Sequence, residues 1–149
     1  MKLLHAADFH LDSAFSSLPP AQAARHREDQ RRCLLALGDL CRREECRLLL
    51  LAGDIFDVPT PSRQSVEALK ALARAVEVPV CIAPGNHDWY SRRSPYARLS
   101  FPDNVHIFCS PRLESIFLPE LAVRVWGAGY TSPSCEALLR GFHAPAEED

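Results

Sequence analysis

Arg47-Leu-Leu-Leu-Leu-Ala-Gly-Asp54 decides the fold. An apolar run without polar alternation marks a strand covered on both faces, as in the middle of a parallel sheet. Upstream, Ala21 to Arg47 reads as a helix. Leu34, Leu37, Leu40 and Cys41 recur at three- and four-residue steps, with Arg31, Arg32, Arg42, Arg43 and Glu44 on the other face. Further back, Pro19-Pro20 closes a loop, and Lys2-Leu-Leu-His-Ala-Ala7 is a buried strand broken by Asp8. Downstream, Pro59 and Pro61 punctuate a loop. Ser62 caps a second helix running to about Val76, with Val66, Leu69 and Leu72 inward, and Val78-Pro-Val-Cys-Ile-Ala83 is the third strand. Ser91 to Asn104 reads as irregular, Val105-His-Ile-Phe108 and Leu121-Ala-Val-Arg-Val-Trp126 as two more strands, and Ser134 to Arg140 as a short helix. Strand–helix–strand–helix–strand is a βαβαβ unit, so the class is α/β with an at least partly parallel sheet.

The 149 residues suit one domain, and 47% hydrophobic content with a net charge of −2 excludes intrinsic disorder. The longest apolar run falls far short of the ~20 residues of a membrane helix. No secretory leader is expected, because Asp8 interrupts the first apolar segment. The expected location is the cytoplasm. The cysteines (Cys33, Cys41, Cys46, Cys81, Cys109, Cys135) show no C-x-x-C spacing, and Cys33, Cys41 and Cys81 fall on apolar positions. They read as free, buried small hydrophobes. The charge balance argues against a wholesale nucleic-acid coat, though not against a local basic groove.

Chemistry-bearing residues stand directly after each of the first three strands: Asp8-Phe-His10, Gly53-Asp54, and Gly85-Asn86-His87-Asp88. Parallel strands present their carboxyl ends on one edge, where open α/β sheets place ligand sites. The residue types match a two-metal hydrolytic site. An extended backbone would point Asp8 and His10 to one side. Asp54 can bridge two cations ~3.5–4 Å apart, and Asn86 offers a neutral oxygen. Mixed nitrogen and oxygen donors suit Mn²⁺, Fe or Zn²⁺ better than Ca²⁺. His87 is the expected proton carrier, with Asp88 holding its other ring nitrogen. Each fragment alone is weak; three in order, each ending a strand, make a metal site the better reading.

His5-Ala-Ala-Asp-Phe-His-Leu-Asp-Ser13, Leu51-Ala-Gly-Asp-Ile-Phe-Asp57 and Pro84-Gly-Asn-His-Asp88 resemble the calcineurin-like metallophosphoesterases. Within them the chain is most similar to the SbcD-type DNA-repair exonuclease branch and its YhaO-like members. The likeness runs to about Tyr130, through Leu99-Ser-Phe-Pro-Asp-Asn-Val-His106 and Val125-Trp-Gly-Ala-Gly-Tyr130. The resemblance implies Asp8, His10 and Asp54 on one metal, Asp54 and Asn86 on a second, and His87 as catalytic histidine. It also implies a βαβαβ-based sandwich of two mixed sheets flanked by helices, with Mn²⁺ the usual metal. The family pattern continues with a strand His and a Gly-His-x-His segment, and the sequence holds neither, ending at Ala146-Glu-Glu-Asp149. Residues 1–149 are therefore expected to be the N-terminal portion of a metallophosphoesterase domain whose C-terminal part is missing, with weak metal binding and little activity alone.

The implied function is phosphodiester hydrolysis by a DNA-repair exonuclease, with DNA as substrate, an SbcC-like ATPase as partner and a homodimer as a possible assembly. The alternatives are a phosphoesterase for a small or lipid-linked nucleotide, or an inactive remnant acting through a partner. Tyr90, Arg92 and Arg93, beside Trp89, Tyr96 and Arg98, can stack a base and hold backbone phosphates. A solvated loop with aromatics tucked inward explains them equally. His5 and His106 read as satisfied core histidines and His143 as part of a helix-exit loop. Asp57 reads as an acceptor orienting the Asp54 loop.

Overall fold

A computed structural model describes residues 1–136, 138 and 140–143. Its elements are β1 (Leu4–Ala6), α1 (Pro20–Arg43), β2 (Leu49–Ala52), α2 (Arg63–Val76), β3 (Val80–Ala83), α3 (Pro95–Arg98), β4 (Val105–Ile107), β5 (Glu114–Leu118) and β6 (Val123–Gly127). Strands β1-β2-β3-β4 form one sheet in that order, every pairing parallel, with Leu4 opposite Leu49, Leu49 opposite Val80 and Val80 opposite Val105. Strands β5 and β6 pair antiparallel as a separate hairpin. The class is α/β, as expected.

The leucine run explains the layering. Leu49 and Leu51 point into the larger core with Leu34, Cys41, Leu69, Leu72, Val80 and Ile82, beneath α1 and α2. Leu48 points the other way, into a smaller core with Cys81, Phe108 and Leu118, where Ile116 and Val125 of the hairpin cover the sheet. Right-handed crossovers place successive helices on one face of a sheet whose strand order follows the chain. Each buried leucine contributes about 1.5–3 kcal/mol.

Helix α2 begins where its capping chemistry begins. Ser62 Oγ accepts the Ser65 N–H at 3.2 Å. Asp12 joins this cap, accepting from the Ser62 N–H (2.7 Å), the Ser62 hydroxyl (3.0 Å) and the Ser65 hydroxyl (2.7 Å). The loop after β1 is thereby tied to the start of α2.

Several expectations are corrected. Strand β5 was not expected: Phe117 on its outer face is 51% exposed, so its polar–apolar alternation is weak. The irregular stretch holds one helical turn, α3, with Pro95 in its first turn. Cys33 is exposed, because it sits beside the buried stripe of α1. Of the helix expected over residues 134–140, positions 137 and 139 lie outside the described residues, and the others lie in bends, turns and irregular backbone. Residues 144–149 lie outside them as well.

Candidate functional site

The loops after β1 and β2 run side by side. Asp8 N–H donates to Gly53 O (3.1 Å), His10 N–H to Asp54 O (2.9 Å), Leu11 N–H to Ile55 O (2.9 Å) and Asp57 N–H to Leu11 O (2.8 Å). Gln30 of α1 clamps the first loop, its Nε2 donating to the carbonyls of Phe9 (3.1 Å) and His10 (3.0 Å). Asp8 (φ 57°), His10 (φ 47°) and Asp54 (φ 50°) all adopt left-handed backbone. The extended geometry expected for Asp8 and His10 is therefore wrong. Such conformations cost of order 1–3 kcal/mol each and cluster where surrounding structure over-determines them.

The side chains still converge. One ligand atom each from Asp8, His10 and Asp54 lies within 4.8 Å of the others. His10 Nε2 stands 3.9 Å from Asp8 Oδ1 and 4.0 Å from Asp54 Oδ2, too far for hydrogen bonds and within the span of two metal–ligand bonds of about 2.0–2.2 Å. The loop after β3 completes the rim. His87 N–H donates to Asp54 Oδ1 at 2.9 Å, and Asn86 is exposed in the same turn. Gly85 makes the approach possible, since a Cβ there would fall 2.1 Å from Asp54 Oδ1 and 2.4 Å from Asp54 N.

Asp57 lies beside both histidines and hydrogen-bonds to His10. Its Oδ1 lies 2.8 Å from His10 Nδ1 and 3.1 Å from His87 Nδ1, and the two rings meet edge to face at 4.8 Å. A proton on His10 Nδ1 directed at this carboxylate leaves the Nε2 lone pair aimed at Asp8 and Asp54. Asp57, expected as an acceptor behind the ligands on the Asp54 loop, is the partner of the His10 ring. A carboxylate three residues after Asp54, on the same loop, was the available signal.

Asp88 does not hold His87, contrary to expectation. It is 1% exposed. Its carboxylate accepts from Ile55 N (2.9 Å), Phe56 N (3.2 Å), Gly85 N (2.7 Å) and the Tyr96 hydroxyl (2.6 Å). Burial raises its pKa against the lowering effect of these bonds, of which Tyr96 is the largest. Asp88 therefore pins the β2 loop, the β3 loop and α3 together beneath the rim. The sequence carries no signal for these roles of Tyr96 and Gln30, since neither motif spacing nor residue type announces a contact made across the fold.

The other candidates are scattered. Arg92 and Arg93 are exposed, and Arg93 lines a groove of about 450 Å³ with Arg63, Arg98 and Leu99. Tyr90 packs against the larger core, so it is tucked inward. His5 is exposed on β1 rather than a core residue. His106 lies against Phe108 at 4.7 Å with its buried Nε2 lacking a partner among the described residues, so it is not satisfied. His143 lines a cleft with Trp126 and Phe142, apart from the rim.

The carboxyl edge of the parallel sheet thus carries aspartates, histidines and an asparagine, among them Asp8, His10 and Asp54 as a group that could hold a metal ion. The calcineurin-like phosphoesterase family model matches residues 1–130, and the chain belongs to that family, whose chemistry is metal-dependent hydrolysis of phosphoesters. Among its relatives is an uncharacterized metallophosphoesterase, YhaO, of Bacillus subtilis (strain 168), 35% identical over 125 residues. Two others are SbcD subunits of the nuclease SbcCD. That of Staphylococcus epidermidis is 28% identical over 120 residues and that of Bacillus subtilis (strain 168) 27% over 122. These matches cover 78%, 78% and 79% of this chain and 30% of each relative, so the chain spans under a third of the length of the curated relatives it matches. Among the described residues no helix is long and apolar enough to cross a membrane.

Proposed function

We propose that residues 1–149 are the N-terminal portion of a metal-dependent phosphodiesterase acting as a DNA-repair exonuclease. Asp8, His10 and Asp54 would hold one divalent cation, and Asp54 with Asn86 part of a second site, with Mn²⁺ the preferred ion. The observation that carries this reading is the convergence of Asp8, His10 and Asp54 within 4.8 Å, beside a His87 ring that adjoins Asp57. Two carboxylates and an imidazole nitrogen, without thiolate, fit an ion of this hardness. Such ions, when bound, lower the pKa of water and offset charge on the phosphoryl oxygens.

The remaining work falls to the chain's own groups. Asp57 stands 3.1 Å from His87 Nδ1, and this 43% exposed side chain would carry the proton delivered to the leaving oxygen. The left-handed loops and the buried Asp88 keep donors in register with the ring. Arg92 and Arg93 extend from the same loop and meet backbone phosphates. The relatives named as nuclease subunits favour DNA as substrate and an SbcC-like ATPase as partner, with a homodimer as a further assembly. Six free cysteines suit a cytoplasmic setting. Further ligands for the second cation come from outside residues 1–149, so this chain alone binds metal weakly and turns over slowly.

The test is an assay in Mn²⁺ of linear DNA against a chromogenic phosphodiester, with the chain supplied alone and with the following part of a longer relative. Hydrolysis that rises on completion, and falls at least about 100-fold in His87→Gln and Asp54→Asn, is expected. Cleavage of the chromogenic substrate but not of DNA would redirect the reading to a small or lipid-linked nucleotide. No hydrolysis by the completed protein would overturn it.

A further inference from the structure

The end of α1 is built in a way the hydrolytic site does not use. Glu45 is left-handed (φ 54°). Its N–H donates to the Arg42 carbonyl at 3.0 Å, and the Cys46 N–H reaches back to the Cys41 carbonyl at 2.9 Å. In a helix end closed this way, the side chains of the two residues joined by the longer bond pack on each other. Here both are cysteines. The Cys41 thiol reaches the Cys46 carbonyl at 3.9 Å. A disulfide spans Cα atoms about 4.4–6.8 Å apart, the separation at which a direct backbone hydrogen bond sets two residues. Both thiols are free in this structure.

We infer that Cys41 and Cys46 form a modification site, a dithiol that a hydroperoxide closes to an intrachain disulfide at the corner between α1 and β2. Cys46, 8% exposed, is reached first; Cys41 is 1% exposed. Burial, reinforced by the neighbouring thiol, raises the Cys41 pKa, so Cys46 is the sulfur oxidised first. The Cys46 sulfur attacks the peroxide O–O bond and becomes a sulfenic acid, and the departing hydroxide takes up the thiol proton as water. The Cys41 sulfur then attacks the Cys46 sulfur, the S–O bond breaks, and the leaving hydroxide takes the Cys41 proton as a second water. Two thiols and one hydrogen peroxide give one disulfide and two waters, two electrons passing from sulfur to oxygen. The closed ring is short, so its chain-entropy contribution lies at the low end for a disulfide.

The test treats the chain with hydrogen peroxide, unfolds it, blocks remaining thiols with iodoacetamide and digests with trypsin, which cuts after Arg42, Arg43 and Arg47. The expected product joins the peptide spanning residues 33–42, alkylated at Cys33, to the peptide ending at Arg47, 2 Da below the summed mass of those two peptides. Fragment spectra should place the bond at Cys41 rather than Cys33. The linked pair should persist in Cys33→Ser and vanish in Cys41→Ala. Recovery of both cysteines as alkylated peptides, or a bond at Cys33, would overturn the inference, and the fragment spectra decide it on the unaltered chain.

Discussion

Asp57 Oδ1 and His10 Nδ1 meet at 2.8 Å across two loops, and the same oxygen serves His87 Nδ1 at 3.1 Å. One carboxylate thus orients a candidate metal ligand and stands beside the candidate proton donor. Replacing Asp57 with Ala should lower Mn²⁺ affinity by about 10–100-fold, because the His10 ring loses the partner that fixes its tautomer. Isothermal titration checks this. An unchanged affinity would show that His10 is held by other contacts.

Gly85→Ala places a methyl group 2.1 Å from Asp54 Oδ1 and 2.4 Å from Asp54 N, and the second of these is backbone that cannot swing away. The variant should lose about 1–3 kcal/mol of stability in urea unfolding and bind Mn²⁺ more weakly, because Asp54 must move.

Tyr96→Phe removes one donor from the Asp88 carboxylate and leaves three backbone donors in place. A loss of about 1–3 kcal/mol is expected by chemical denaturation. Asp88→Ala should cost more, since it orphans the buried N–H groups of Ile55, Phe56 and Gly85 together, and should also disturb the turn bearing Asn86 and His87.

Burial pushes the Cys81 thiol from its ordinary 9.0 up to about 11. Between those values the native state holds a proton that the unfolded chain releases. The stability Cys81 contributes is therefore complete below pH 9.0 and is lost as pH rises through about 11. Urea midpoints should fall over that window, and fall less steeply in Cys81→Ala.

The leucine run after Arg47 already required a strand covered on both faces, and the structure shows which leucine serves which layer. Ser62 as a helix cap was legible because its hydroxyl acts within three residues. The hairpin strand β5 was not, since an exposed Phe117 hides its alternation and its partner, β6, is identified only by pairing. Of the site, Asp8, His10 and Asp54 could be placed together from topology, because strands running the same way end on one edge. The division of labour between Asp57 and Asp88 could not.

By itself the sequence determined the parallel sheet, its carboxyl-edge site and the donors gathered there. These follow from apolar run lengths and from residues adjacent to strand ends, which are local properties of the chain. Only the tertiary structure decided that Asp8 and His10 reach the rim through left-handed backbone and that Asp57, not Asp88, faces the histidines. Those outcomes depend on which loop packs against which, and hydrogen bonds spanning 33 or 47 positions of chain leave no periodicity along it to read.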